Sequence, residues 1–315
     1  MFKKSKKAYK KIEKIKIFYC IFFLSGIYLK CCQGSDNIWR ICMNAKNNTF
    51  PKLCDLQSLT GKIALVTGGG RNFGAEIATG LAEAGATVII TARELYRAES
   101  GAEELSAACN MNFIPMQLEL TDENSVISLF TTIKERFGRL DILVNNAGGH
   151  SQKACGLLEK ESLEGWYEFI ESNMTGTFLM IREFAKLMMP QKSGVIINVA
   201  SMAGMVGRDR KIYGDDMTPN PIAYSAAKAG VIGMTYDCAA YLGEYGIRVN
   251  AISPGGFART QPEHFIRDYS DLTMLKRMGR AGFDLKGAVV FLASEASAYI
   301  TGHNLVIDGG FTRYK

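Results

Sequence analysis

"IALVTGGGRNFGAEIATGLAEAG", residues 63–85, decides the fold of this chain. It opens on a short apolar run, turns at glycines, and continues with apolar residues at helical spacing until a glycine stops it. A strand, a glycine-rich turn and a helix in that order are the setting in which a glycine motif signals a phosphate-cradling loop. Gly68 allows the sharp turn, and Gly74 lets the helix approach the strand. The helix N-terminus then offers free N–H groups and a positive dipole end to a pyrophosphate. Asn72 stands where such a loop usually carries a further glycine. Asparagine is the non-glycine residue that best tolerates left-handed backbone angles, so it can hold the turn. Taken alone, the stretch also suits a turn without a ligand.

Outward from this loop the chain keeps alternating strand and helix. "TVIITAR" (87–93), "FIPMQLEL" (113–120), "DILVNNAG" (141–148), "GVIINVAS" (194–201), "RVNAISPG" (248–255) and "NLVIDGG" (304–310) read as strands. "SVISLFTTIKERFG" (125–138) reads as a helix with basic residues in its last turn, and helices are expected at 164–189, 222–244 and 284–295. The strands are continuous apolar runs without alternation, which is the pattern of a parallel sheet covered on both faces. The expectation is a doubly wound, Rossmann-like α/β sheet forming one domain over residues 59–315, with ligands at the carboxyl ends of the strands.

The composition, 47% hydrophobic and 22% charged over 315 residues, is that of a globular chain. The net charge of +6 misleads, because residues 1–30 hold nine lysines and one glutamate. The rest of the chain therefore carries a net −2, and nucleic acid is excluded as a partner. Residues 1–58 form a basic and apolar extension whose apolar run, Ile17 to Leu29, is short for a membrane span. A secretory signal, a membrane anchor within residues 15–30, and an upstream start-site artefact ahead of Met43 all remain open. The default location is the cytoplasm, and a membrane is a partner only if that anchor is real. Cys20, Cys31, Cys32, Cys42 and Cys54 precede the domain; Cys109, Cys155 and Cys238 lie within it. Their spacing indicates neither a metal site nor a disulfide framework. Asn173-Met174-Thr175 fits the glycosylation acceptor pattern, and a glycan there would disable the role argued for Asn173 below.

The end of the second strand discriminates between dinucleotides. A carboxylate there would bond the adenosine ribose 2′-hydroxyl of NAD. This chain instead has Thr91-Ala92-Arg93, and Arg93, with Arg71 in the loop, could pair with a 2′-phosphate. The reading is NADP(H) in preference to NAD. Each arginine alone would equally suit a solvated surface.

"AYSAAKAG" (223–230) places Tyr224 and Lys228 four residues apart, one turn apart on one face of a helix. A phenol with an ordinary pKa near 10 is a poor base at neutral pH; a nearby ammonium favours the phenolate and makes the pair a candidate general acid/base. The spacing is common on surfaces. Here, however, it stands in an ordered series: "TGGGRNFG" (67–74), "NNAG" (145–148), Asn173 in "NMTGTFL", Ser201 closing "VIINVAS", "YSAAK", "SPGG" (253–256) and "VIDGG" (306–310). With that series the chain resembles the short-chain dehydrogenase/reductase superfamily over nearly all of residues 60–315.

The resemblance implies an enzyme that interconverts a secondary alcohol and a ketone with a nicotinamide dinucleotide. Tyr224 would exchange a proton with the substrate oxygen, and Ser201 would position that oxygen. Lys228 would hold the nicotinamide ribose and lower the tyrosine pKa. Asn173 would kink its helix and hold a water leading from Lys228 to solvent. Gly68, Arg71, Asn72, Phe73, Gly74, Arg93, Glu119, Leu120, Asn146, Ala147, Gly148, Pro254 and Gly255 would line the cofactor, together with Tyr224 and Lys228. No metal is implied, and a homodimer or homotetramer is expected.

Two departures from the family pattern stand out. Glu119 replaces the usual adenine-contacting aspartate, and the stretch from Ser201 to Tyr224 is roughly ten residues longer than usual, which a loop can absorb. This insert carries Arg208, Arg210, Lys211, Tyr213, Asp215 and Asp216, and with "SPGGFARTQPEHF" (253–265) it resembles gluconate 5-dehydrogenase-like members. Those cations suit a sugar acid or polyol, and the insert equally suits a solvated loop or a subunit contact. A 3-oxoacyl thioester reductase is the rival enzyme, and a nucleotide sensor that has lost its chemistry is the rival from another class.

Overall fold

The computed structural model of the chain describes residues 50–149 and 156–314. The expected N-terminal extension therefore lies outside the described residues up to residue 49. Among the described residues no helix is long and apolar enough to cross a membrane. A short helix, α1 (Leu53–Gln57), leads to β1 (Ile63–Val66), the glycine loop and α2 (Asn72–Glu83). Then come β2 (Thr87–Ala92), α3 (Leu95–Cys109), β3 (Phe113–Gln117), α4 (Glu123–Phe137) and β4 (Ile142–Asn145). α5 (Leu163–Ile170), a π turn at Glu171–Thr175 and α6 (Gly176–Gln191) precede β5 (Gly194–Val199). α7 (Ile222–Leu242) and β6 (Ile247–Pro254) follow the insert. The chain closes through β7 (Phe257–Ala258), α8 (Glu263–Asp271), β8 (Gly279–Arg280), α9 (Lys286–Ala293) and β9 (Asn304–Ile307).

Seven strands form one sheet in the order β3-β2-β1-β4-β5-β6-β9, every neighbour parallel. All seven strands expected from the apolar runs are present. Their lack of alternation has a direct cause. Leu65, Ile89, Leu143, Ile196 and Val249 turn to one face, against Leu129 and Ile133 of α4 and Phe184 and Met188 of α6. Their neighbours Val66, Ile90, Ile142, Ile197 and Ile252 turn to the other face, against Ile77 and Leu81 of α2 and Val289 and Leu292 of α9. Each such side chain fully buried is worth about 1.5–3 kcal/mol, which is why the strands read as mostly apolar runs.

The order of strands reverses between β1 and β4, where crossovers leave to opposite sides and open a crevice at the carboxyl edge. Val66 lies opposite Val144, and Asn145 opposite Asn198, so the loops after β1, β4 and β5 leave the sheet at the same level. Residues 202–213 and 257–280 depart from the carboxyl ends of β5 and β6. They share a small separate core of Met202, Ile212, Phe265, Tyr269 and Met278. The sequence places a helix over 164–189, with a kink at Asn173 implied by the family resemblance; the structure interrupts that helix by a π turn at Glu171–Thr175, which contains Asn173.

Candidate active site

The glycine loop has the backbone that the sequence requires of it. Gly68 has φ +63° and Asn72 φ 51°, both left-handed, so asparagine does fill the place of a glycine. A Cβ added to Gly74 would lie 2.0 Å from the Gly68 carbonyl oxygen, a contact no side chain tolerates. Arg71 is the N-cap of α2 and makes no side-chain cap hydrogen bond, which leaves the first N–H groups of the helix for a ligand. A left-handed turn, a position closed to any side chain and an open helix N-terminus together fit a dinucleotide pyrophosphate.

Two residues that the motif reading did not single out hold this loop. Thr67 Oγ1 accepts the N–H groups of Asn146 at 3.0 Å and Ala147 at 2.9 Å and donates to the Val144 carbonyl. Thr91 Oγ1 accepts the Gly68 N–H at 3.3 Å. The Asn146 side chain donates to the Thr67 and Gly68 carbonyls, so it braces the loop from β4. Thr67 belongs to the quoted motif, but its partners lie 77 to 80 residues away, and no local signal announces them.

Other candidate cofactor residues gather at the same edge. Phe73 packs edge-on against Phe257 at 4.8 Å and lies under the Arg259 guanidinium at 5.3 Å. Arg259 also pairs with Glu76 at 2.6 Å. Gly255 donates its N–H to the Ile307 carbonyl, and Pro254 ends β6 beside it. Arg93 and Glu119, at the ends of β2 and β3, are paired with one another at 2.8 Å, with the arginine side chain 69% exposed. Leu120 is buried and fills the space over Gly176 of α6, so its side chain belongs to the core.

The catalytic candidates converge from three elements. Ser201 follows β5 in an extended conformation, and its Oγ accepts the Ala203 N–H at 3.2 Å, starting the 3-10 turn Met202–Gly204. That serine also acts on the Tyr224 hydroxyl, favouring its phenolate. Tyr224 and Lys228 share one face of α7, the ammonium 5.8 Å from the phenol ring centroid. Lys228 is 5% exposed and donates from Nζ to the Val199 carbonyl at 2.8 Å. Burial lowers its pKa to about 8. Burial raises the pKa of Tyr224; Ser201 and the field of Arg208 oppose that rise, and Tyr213 adds to it. Thus the insert places a second cation near the phenol.

Asn173 is 2% exposed within the π turn. Its Nδ2 donates to the carbonyls of Gly149 and Phe169 at 3.2 Å. A Cβ on Gly148 would lie 2.3 Å from Asn173 Oδ1, so any side chain there has to displace that amide. Behind the site, Asn145 donates to Asn198 at 2.9 Å and Asn198 to Thr235 at 3.0 Å, joining β4, β5 and α7 through buried polar groups. The arrangement can bind a dinucleotide along the crevice and move a proton at a hydroxyl held between Ser201 and Tyr224.

Comparison with known proteins agrees with this geometry. A family model described as Enoyl-(Acyl carrier protein) reductase matches residues 68–312. A 3-oxoacyl-[acyl-carrier-protein] reductase of Synechocystis is 36% identical over 261 residues, 82% of this chain and 100% of that protein. A gluconate 5-dehydrogenase of Burkholderia cenocepacia, solved with NADP and tartrate, superposes with TM-score 0.74 at 29% identity, covering 83% of this chain and 99% of that one. The NADP complex of Pseudomonas aeruginosa RhlG gives TM-score 0.72 at 33% identity, with coverages of 81% and 98%. Sequence series, sheet order and site coincide: the chain belongs to the short-chain dehydrogenase/reductase family, and it is an NAD(P)-binding oxidoreductase.

Proposed function

We propose that the enzyme uses NADP(H) to interconvert a secondary alcohol and a ketone on a sugar acid or related polyol. The observation that carries this reading is the meeting of Ser201, Tyr224 and Lys228 beside an insert whose Arg208 reaches Ser225, the residue next to Tyr224. When bound, the nicotinamide exchanges a hydride with the carbon bearing the oxygen. Ser201 holds that oxygen by a hydrogen bond, and Tyr224 gives it a proton or takes one. Lys228, desolvated and anchored to Val199, would hold the ribose hydroxyls of the cofactor, and Asn173 shapes the helix beside it. The Tyr224→Phe variant is expected to retain NADPH binding and lose turnover; sustained turnover overturns the assignment of the proton shuttle.

The NADP(H) preference rests on the absence of a carboxylate in Thr91-Ala92-Arg93 and on the exposure of Arg93. Its pair with Glu119 is worth about 1 kcal/mol or less, as for exposed pairs, so a dianionic 2′-phosphate can displace it. The NADP-bound neighbours support the same reading. Arg93→Ala is expected to reduce the ratio of NADH to NADPH dissociation constants, measured by cofactor fluorescence; an unchanged ratio refutes the preference's assignment to this residue.

The Synechocystis relative favours a second reading, reduction of a 3-oxoacyl thioester on an acidic carrier protein. The net −2 of the chain beyond residue 30 offers such a carrier little attraction. A substrate panel of sugar acids, polyols and acyl thioesters separates the two. We place the catalytic domain at 59–315, in the cytoplasm, and assemble it as a dimer or tetramer through α6 and α7. Exposed Tyr236 and Tyr241 on α7 support that contact.

A further inference from the structure

We infer that Arg208 is the specificity-determining residue of this site, the cation that receives the anionic group of the substrate whose oxygen Tyr224 and Ser201 hold. This rests on the oxidoreductase reading above and adds to it the residue that selects charge. Arg208 belongs to the insert between β5 and α7, and its guanidinium is tethered at one nitrogen and unpartnered at another. Nη2 donates to the Asn220 carbonyl at 3.0 Å and to Ser225 Oγ at 3.4 Å, the residue next to Tyr224. Nη1 is sealed from solvent and meets no acceptor among the described residues. A buried, unsatisfied guanidinium N–H is unfavourable until an acceptor reaches it, and a carboxylate is the acceptor that best fits a guanidinium.

The surroundings are prepared for an anion. Arg208 lines a cleft of about 430 Å³ together with Arg210, Tyr213, Ser225 and Ile222, and among the described residues no carboxylate lines it. Arg210 is hydrogen-bonded to the Gly156 carbonyl, which pins the insert to the segment after β4. The cleft reaches the first turn of α7, whose N-cap Pro221 provides no side-chain cap. Of the insert's carboxylates, Asp209 accepts the Lys211 N–H at Oδ1, and Asp216 lies 3.4 Å from His264 of α8. The field of Arg208 also reaches Tyr224 and favours its phenolate. An anion seated on Arg208 is therefore within electrostatic range of the reacting hydroxyl, and its substrate can present the carbinol carbon at Tyr224.

The test pairs charged and neutral substrates. Wild type, Arg208→Ala and Arg208→Lys are assayed with NADP+ on D-gluconate against D-glucitol and on D-galactonate against galactitol. The expected result is a preference for the aldonates in wild type that falls about 10–100-fold in R208A, mainly through KM, with R208K intermediate. The pH–rate profile of R208A for alcohol oxidation should move to higher pH, because the cation that favours the phenolate is gone. Equal losses on both members of each pair, or no loss, overturn the role of Arg208. The binding arm uses the Tyr224→Phe enzyme with NADP+ and calorimetric titration of D-gluconate, with and without R208A. Binding that requires Arg208 upholds the seat even if wild type turns over none of the panel, a result that would instead remove the proposed substrate. Absence of binding in both backgrounds, or binding that ignores R208A, removes the seat.

Discussion

Replacing Lys228 by methionine should stabilise this protein at neutral pH while ending its activity. The lysine is 5% exposed, and burial lowers its pKa from 10.5 to about 8. That shift corresponds to about 3 kcal/mol of cost for holding the ammonium in the folded protein. Methionine has nearly the same length and fills the same space without the charge. It also abandons the Val199 carbonyl, which accepts from Nζ at 2.8 Å, at a cost of about 1 kcal/mol. The net gain expected at pH 7 is about 1–2 kcal/mol, or several degrees in Tm for a domain of this size. The pH dependence is the sharper signature. Between pH 8 and 10.5 the unfolded chain holds a proton that folded Lys228 has released, so wild-type stability rises with pH in that window. The penalty is present in full below pH 8 and is gone above pH 10.5. The advantage of Lys228→Met should accordingly shrink by about 3 kcal/mol across the window and end as a small disadvantage. Tyr224, whose raised pKa acts in the opposite direction above pH 10, is common to both proteins and largely cancels in the difference. Urea unfolding of the cofactor-free proteins at pH 7, 8.5, 9.5 and 10.5 measures it. A variant less stable at every pH, or a difference that does not change with pH, refutes the desolvation argument.

Two further substitutions probe contacts outside the reacting groups. Gly148→Ala puts a Cβ 2.3 Å from Asn173 Oδ1 and must displace that side chain from the Gly149 and Phe169 carbonyls. A loss of about 10²-fold in kcat is expected in steady-state assays, with NADPH affinity changed far less. Arg259→Ala leaves Glu76, 6% exposed and already with one unpartnered oxygen, without its cation. Because the arginine side chain is 29% exposed, the expected cost is about 2 kcal/mol, below that of a fully buried pair, and Glu76→Gln in the same chain should recover much of it in thermal unfolding.

The fold was legible because its sheet is parallel and covered on both faces. A strand such as Ile63–Val66 sends successive side chains into two different cores, so the whole run must be apolar. The glycine loop was legible for a similar reason: a left-handed φ at residue 72 admits few residue types, and the Gly68 carbonyl bars every side chain at residue 74. The break in the helix at Glu171–Thr175 is not written in helical periodicity, since apolar spacing continues through it. Contacts between distant residues were also not legible. Arg259 and Glu76 are 183 residues apart, and neither position alone suggests a buried pair. Arg93 and Glu119 were each read as facing a cofactor, whereas adjacent strands β2 and β3 bring them to each other.

The reading of the tyrosine and lysine changes most when burial is added to spacing. A four-residue interval says that an ammonium lies one turn from a phenol, and from that alone the phenol should become more acidic. In the folded protein burial acts on both groups, lowering the lysine and raising the tyrosine. Both shifts favour the uncharged forms, so the crevice resists forming an isolated phenolate in the enzyme without ligands. Ser201 and the field of Arg208 work against that resistance at the phenol. These two groups reach Tyr224 from the end of β5 and from the insert. The motif thus supplies the proposed acid–base pair, while its tuning comes from segments that precede it in the chain and fold back over the first turn of α7.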